Sequence, residues 1–521
     1  MPEGTPECAA PSSHPPTRPP AARVATLLPT TPLAPPPPLT PSPPPRSRPR
    51  HCPRRVVAWL KEFAEQRGLE WAEDSVGNLV IRRPGSGGGE AAAPVIIQGH
   101  VDMVTEANAD STHDFLKDPI RLLRDGDWVT ADGTTLGADN GIGVCAALAV
   151  LDLPPTARLP PIEALFTIDE ETGLTGAFGL EGSMLRGRTM LNLDTEEWPE
   201  VFIGCAGGGD SVLTLPCALE AAPAGAAALE VRVSGLLGGH SGVDIHEDRG
   251  NAVRMAAAAA DAVLSRVAGA RLASLAGGDK RNAIARECAA VLAVPAAERD
   301  AAAAVVASVE ADFRAEFGHR EPGLRIAAAP LEGAAPAAAL APADAERLLA
   351  LLLTLPHGVI KYSHEVPGLV ETSSNLASVR PAAAAAQGGR VTYRLQCSTR
   401  SSLMPALERC RAAIRRTAAL CGAAIEQDEA YPGWAPQPGA AVVGVARAAI
   451  AEVVGREPAL KAIHAGLECG IIGEKLPGVQ SVSYGPTIRG AHSPDERVQV
   501  STVAPFWEAT LNILGRLAGE R

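Results

Sequence analysis

The chain is short of aromatic side chains, long apolar runs, paired cysteines and positive charge. Aromatics make up 3% of its 521 residues, so its interior has to be packed mainly with Ala, Leu, Val and Ile. No apolar stretch reaches the ~20 residues that a membrane-spanning helix needs, so no such segment is expected. Lys and Arg (47) are outnumbered by Asp and Glu (59), giving a net charge of -12. That balance excludes a general nucleic-acid binder, which displaces counterions with basic patches. The ten Cys run from Cys8 to Cys469 at irregular intervals with no CxxC pair. Scattered thiols of this kind fit a reduced, cytoplasmic protein better than a disulfide framework.

What is present is ordinary for a globular protein: 46% hydrophobic and 20% charged residues. The length exceeds one compact core and predicts two or three domains. Residues 1–53 hold 19 of the 46 prolines, and no acidic residue stands between Glu7 and Glu62 while Arg recurs. So many prolines remove backbone donors and oppose a packed core, so a disordered leader is expected. Its charge bias is compatible with an organellar transit peptide and equally with a plain tail.

From Arg54 the texture changes. Residues 56–67 read as an amphipathic helix, 78–82 as a short strand and 94–98 as a buried strand. A helix is expected over 139–151, and short apolar strands at 162–168 and 190–193, each running into acidic residues. Strands alternating with helices predict an α/β domain built on a mainly parallel sheet. Beyond about residue 212 the chain becomes Ala-rich, with helices expected at 296–313 and 344–355 and strands at 227–234 and 390–396. The expected organisation is a first domain in two parts, 54–212 and 429–521, interrupted by an α+β domain at 213–428.

Five segments carry polar groups with chemical potential. In Gly99-His100-Val101-Asp102, His100 and Asp102 are two apart on extended chain and share a side. A His held by a nearby carboxylate is the arrangement that orients imidazole toward a metal. Leu136-Gly137-Ala138-Asp139-Asn140-Gly141 leads into a helix, with Asp139 on the loop. Thr167-Ile168-Asp169-Glu170-Glu171 ends an apolar strand in adjacent acids, where one carboxylate can ligate a metal and its neighbour shuttle a proton. Leu191-Asn192-Leu193-Asp194 is another apolar strand ending in acid, and Ala491-His492-Ser493-Pro494-Asp495 comes about 300 residues later. Taken singly, each has a plainer reading: a hydrogen-bonded His, a helix-capping Asp, a solvated acidic pair, a surface loop. Taken together, polar residues recur where strands of a parallel sheet end, which is where such sheets bind ligands. Two His and three carboxylates form a mixed N/O set suited to two divalent ions of the zinc type.

The order GHVDMV, GADNGIG, DEETG, LNLDTEEW, GGHSG and AHSPDE, over residues 54 to 521, resembles the aminoacyl-histidine dipeptidases. These are also called peptidase D or Xaa-His dipeptidases, two-zinc metallopeptidases related to other metal-dependent dipeptidases and carnosinases. The resemblance implies an α/β zinc-peptidase catalytic domain with an inserted α+β lid and dimerisation domain. It implies His100, Asp139, Glu171, Asp194 and His492 as ligands of two divalent ions, Zn2+ first and Co2+ or Mn2+ as alternatives. Asp139 would be the bridging carboxylate, Asp102 the support of His100 and Glu170 the general base. The implied reaction is attack of a metal-bridging hydroxide on the peptide bond of an unblocked dipeptide, Xaa-His or broader. His240, in Gly239-His240-Ser241-Gly242, would complete the site, often across a homodimer interface. A free substrate carboxylate suits a planar guanidinium, and Arg400 is the candidate. Asn375 and Glu468 lie in family-like segments, with Glu468 a candidate for the substrate amine. The family's usual N-terminal helical segment is replaced here by the proline-rich leader. Two competing readings are an N-acyl amino acid amidohydrolase on the same metal core and a metal-binding pseudoenzyme, the latter opposed by the presence of Glu170. No nucleic-acid or membrane partner is expected.

Overall fold

The computed structural model describes residues 53–331, 336–382 and 389–519. The expected leader therefore lies outside the described residues, apart from Pro53. The chain divides into two compact units. The first comprises residues up to Pro199, Val445–Pro458 and the chain from Ser483 on; the second comprises Glu200–Gly444 and Ala459–Val482. Among the described residues no helix is long and apolar enough to cross a membrane.

The described residues of the first unit begin with helix Pro53–Gln66. Its buried Val57, Leu60, Phe63 and Ala64 recur at helical spacing and form one apolar stripe. Gly68, at φ 65, supplies the left-handed turn that ends it. Next come strands β1 (Glu70–Glu73), β2 (Leu79–Arg83), β3 (Val95–His100), β4 (Leu122–Asp125) and β5 (Trp128–Ala131). Two more, β6 (Ile162–Thr167) and β7 (Thr189–Asn192), complete the set before the second unit. Five of them lie in the order β1-β2-β6-β3-β7. β3 pairs parallel with both β6 and β7, whereas β2 joins β6 and β1 joins β2 antiparallel. The sheet is thus mixed, with the parallel order at β6-β3-β7. All six residues of β3 and all six of β6 are buried, because these strands are covered on both faces. A small antiparallel sheet sets β4 and β5 beside strands Arg497–Gln499 and Ile488–Arg489, and the turn carrying His492 joins those last two.

In the second unit a long antiparallel sheet includes Gly207–Ala221, Val370–Pro381 and Arg390–Ser401. Helices Ala252–Arg266, Arg299–Phe317, Pro342–Thr354 and Met404–Leu420 contribute to its core. That core is largely Ala, Leu and Val, with Tyr393 its one fully buried aromatic.

Candidate metal centre

Five segments of the first unit bring the expected ligands together. His100 is the last residue of β3 and is buried, with its Nε2 3.1 Å from Asp139 Oδ1 and 3.3 Å from Asp194 Oδ1. Asp194 follows β7, where the Leu193 N–H still donates to Gln98 and continues the ladder. His492 Nε2 lies 3.3 Å from Asp139 Oδ2 and 3.0 Å from Glu171 Oε2. The carboxylate of Asp139 therefore stands between the two imidazoles, one oxygen toward each. His100, Asp139 and Glu171 offer donor atoms within 4.8 Å of one another, a spacing a metal ion can span. His492 adopts φ 64, a left-handed conformation rare outside Gly, so the turn holds it at some strain.

Asp102 does not support His100 quite as its position in extended chain suggested. The Nδ1 of His100 hydrogen-bonds the main-chain carbonyl of Asp102 at 3.0 Å, while the Asp102 carboxylate is 3.6 Å away. That carboxylate accepts the backbone N–H groups of Glu170 and Glu171, both at 3.1 Å. It thereby fixes the segment bearing the expected ligand Glu171 and the candidate base Glu170. The plainer reading of Asp139 as a helix cap fails, because its carboxylate faces the two His rings. The N–H groups at the start of helix Ala138–Leu151 are taken by Glu496 instead.

The hydrogen bonds decide whether a cation fits. A carbonyl partner makes Nδ1 of His100 the donor, which leaves the Nε2 lone pair of the neutral ring facing two carboxylate oxygens. Three partial or full negative charges then meet at one point, which is unfavourable unless something positive lies between them. Asp194 Oδ1 and Glu171 Oε1 are moreover buried without hydrogen-bond partners. The residues fit a divalent ion. Without one, only protons relieve the repulsion. Burial opposes charging His100, but the carboxylates of Asp194, Asp102 and Asp139 outweigh it and raise its pKa well above the usual imidazole value. Asp139 and Glu171 push His492 up to about 11. Burial and the charges of Asp139 and Glu171 push Asp194 up to about 6, with His100 pulling the other way.

Three residues of this centre carried no assigned role in the sequence. Asn140 donates from Nδ2 to the Leu193 carbonyl at 2.6 Å, tying the Asp139 loop to the Asp194 strand end. Its Oδ1 fills the space beside Gly99, where any Cβ would come within 2.3 Å of it. That close approach is why glycine precedes His100. Glu196 is part-buried; burial and the Asp139 carboxylate push it up to about 8, against the pull of His492. Glu496 clamps the Asp139 loop. The acidic residues were visible in LNLDTEEW and AHSPDE, but nothing local distinguished them from solvated acids.

A profile of peptidase family M20/M25/M40 matches residues 96–515. The chain belongs to this family of metal-dependent peptidases. It is 37% identical over 464 residues to the cytosol non-specific dipeptidase of Escherichia coli (strain K12), covering 88% of this chain and 92% of that one. An aminoacylhistidine dipeptidase from Vibrio alginolyticus superposes with a TM-score of 0.80 at 39% identity, over 89% of this chain and 92% of that one. Aminopeptidase PepT from Bacillus cereus shares the fold, with a TM-score of 0.53 at 18% identity over 90% and 94% of the two chains.

The remaining expected site residues of this M20 peptidase lie in the second unit. His240 Nδ1 accepts the N–H groups of Gly242 (3.2 Å) and Val243 (3.0 Å), so the ring proton sits on Nε2 and that edge donates. The loop is held by Asp244, which accepts the His240 N–H at 2.7 Å. A Cβ on Gly242 would fall 2.3 Å from the His464 carbonyl, so this loop packs on the segment that also carries Glu468. His464 accepts from or donates to Ser373 Oγ at 2.7 Å; burial, with Arg400 and two His nearby, lowers it to about 3. Arg400, on strand Arg390–Ser401, has a buried Nε without a hydrogen-bond partner. Asn375 spends its Nδ2 on the carbonyls of Arg281 and Ala283, leaving a buried Oδ1 unpartnered. Glu468 is fully buried in the first turn of helix Glu468–Lys475.

Proposed function

We propose that this chain is a dipeptidase that hydrolyses unblocked dipeptides over a broad range that includes Xaa-His. The observation that carries the reading is the Nε2 of His100 directed at the carboxylates of Asp139 and Asp194, with Asp139 shared with His492 and Glu171 on the far side of that ring. His100, Asp139 and Asp194 would hold one divalent ion, and Asp139, Glu171 and His492 a second, with zinc the first choice for this donor set. When bound, the pair supplies Lewis-acid polarisation of the scissile carbonyl and eases deprotonation of the attacking water. Glu170 takes the proton as the water oxygen bonds to the carbonyl carbon. It then returns the proton to the leaving nitrogen as the C–N bond breaks. Asp102 keeps Glu170 and Glu171 in register by holding both their N–H groups. The Nε2–H of His240 is the donor for the developing oxyanion. Arg400 receives the substrate's free carboxylate, Asn375 offers its Oδ1, and Glu468 meets the substrate amine. The names of the two closer relatives support both the dipeptide substrate and the breadth.

We also infer a homodimer formed through the second unit. Leu237, Val243, Ile360 and Tyr362 are between 48% and 55% exposed there, and strand Gly358–Tyr362 pairs with Val370–Pro381 alone among the described residues. A second copy would cover this apolar face, and light scattering at several concentrations checks it. A cytoplasmic location is proposed from the eight described cysteines, all free and buried. The test of the activity sets β-Ala-His, Leu-Gly and an N-acetyl amino acid side by side with zinc, cobalt or manganese. Faster turnover of the acetylated substrate would replace the dipeptidase with an amidohydrolase; no turnover of any would leave a metal-binding protein.

A further inference from the structure

Glu496 stands four residues after His492 and is 2% exposed. Its Oε2 accepts the N–H groups of Leu136 at 2.7 Å and Gly137 at 3.0 Å. Its Oε1 accepts those of Ala138 at 2.8 Å and Asp139 at 3.3 Å. One carboxylate thus satisfies four consecutive main-chain donors at a helix start, a cradle of backbone dipoles that favours an anion. Glu496 is also part of the His492 turn. Its own N–H donates to Ser493 O at 3.0 Å, and its carbonyl accepts Thr130 Oγ1 at 2.8 Å. Gly490, at φ 69, lies so close to the far side of this turn that a Cβ there would be 2.8 Å from the Asp495 carbonyl. The turn is therefore tightly closed, and Glu496 is its link to the loop before the helix.

Both ends of this link carry expected ligands. Asp139 points one oxygen at His100 and the other at His492, 3.1 and 3.3 Å away. A shift of the Asp139 main chain relative to the His492 turn would open one of these distances and close the other. The geometry points to Glu496 as a positioning residue: its carboxylate sets the separation of Asp139 from His492 and so the spacing of the two metal positions. This rests on the two-ion reading proposed above. A carboxylate that merely capped the helix would stabilise the fold without influencing how tightly the second ion is held.

Another buried carboxylate provides the comparison. Glu163, 3% exposed at the start of β6, accepts the N–H groups of Arg186 and Gly187, each at 2.9 Å. It lies at the opposite end of that strand from Glu170. The full chain is stripped of metal, and Zn2+ is titrated in competition with a chromophoric chelator, well below the onset of unfolding. Wild type, Glu496→Gln, Glu496→Asp and Glu163→Gln are compared, with circular dichroism as the check on folding. Gln keeps the shape but turns an NH2 toward two N–H donors; Asp keeps the charge but is one methylene short. The expected result is two ions in wild type, and about a 10- to 100-fold weaker second ion in Glu496→Gln, as for other residues that orient metal ligands. Glu163→Gln should lower the melting temperature and leave both zinc affinities unchanged. A folded Glu496→Gln with wild-type zinc affinities overturns the inference. If that variant does not fold, Glu496→Asp decides by the same criterion, and failure of both to fold assigns Glu496 a purely structural role. Loss of zinc affinity in Glu163→Gln as well would mean general loosening and also overturn it. A wild type that binds no zinc would instead bring down the metal-centre reading itself.

Discussion

Replacing Gly99 by Ala adds one methyl group to a crowded point of the candidate metal centre. The new Cβ would sit 2.3 Å from Asn140 Oδ1, about an ångström inside ordinary contact. Asn140 is 4% exposed, and its Oδ1 also fills the space beside Gly143, where an added Cβ would come within 2.3 Å of it, so the amide has little room to retreat. The side chain must then give up its 2.6 Å hydrogen bond to the Leu193 carbonyl. Overpacking of a tight interior costs about 1–3 kcal/mol, and an unpaired buried amide about 1–3 kcal/mol more. The sum is about 4 kcal/mol of lost stability in the first unit. Asn140 follows Asp139, and Leu193 precedes Asp194, so the disturbance enters both ligand loops. A displacement of about 1 Å in such a site lowers kcat by about 100-fold. Thermal unfolding followed by calorimetry, with initial rates on a dipeptide, measures both effects. A double-mutant cycle with Asn140→Ala separates the clash from other causes, since Gly99→Ala should cost far less in that background. Equal stability losses in both backgrounds, or a wild-type kcat in Gly99→Ala, would refute the account.

Glu170→Gln should lower kcat by about 100- to 10,000-fold while metal content by atomic absorption stays at the wild-type level, since the change removes the proton shuttle and no ligand. Arg400→Ala should raise KM for dipeptides by about 10- to 100-fold, the value of a lost charge-assisted hydrogen bond, and have a smaller effect on kcat in steady-state assays. Metal loading should release protons at neutral pH. His492 is pushed up to about 11 and His100 is raised well above the usual value, so both rings are protonated in the metal-free protein and must become neutral to bind. Apparent zinc affinity therefore rises with pH across the neutral range and falls as pH drops. Calorimetric titrations in buffers of different ionisation enthalpy count the protons, and an affinity independent of pH would show that the rings are already neutral.

Much of the first unit was legible in the sequence for simple reasons. Val95, Ile96 and Ile97 form a run that only a strand covered on both faces explains, and His100 follows it directly. Apolar runs that end in acid after β6 and β7 mark the ends of the two strands that flank β3, so Glu170, Glu171 and Asp194 stand out together. Helix Pro53–Gln66 was visible in the spacing of Val57, Leu60 and Phe63. Elements of the second unit were readable by the same periodicities, although alanine-rich stretches gave blunter ends: the helix expected over 296–313 runs from Arg299 to Phe317.

The sequence by itself therefore determined the elements, the types of candidate ligand and their order along the chain, because periodicity and side-chain chemistry are local properties. Only the tertiary structure decided which groups hold those ligands in place. Glu496 binds the N–H of Asp139 across 357 residues, and Asp102 steadies His100 through a carbonyl rather than its carboxylate. Such partners are main-chain groups, which almost every residue possesses, so no side chain at residues 136–139 announces that a distant carboxylate will meet them. The same holds for the tautomer of His240, set by the N–H groups of Gly242 and Val243. Chain closure brings these groups together, and the burial of Glu496, His100 and Asp102 away from water makes each of their hydrogen bonds count.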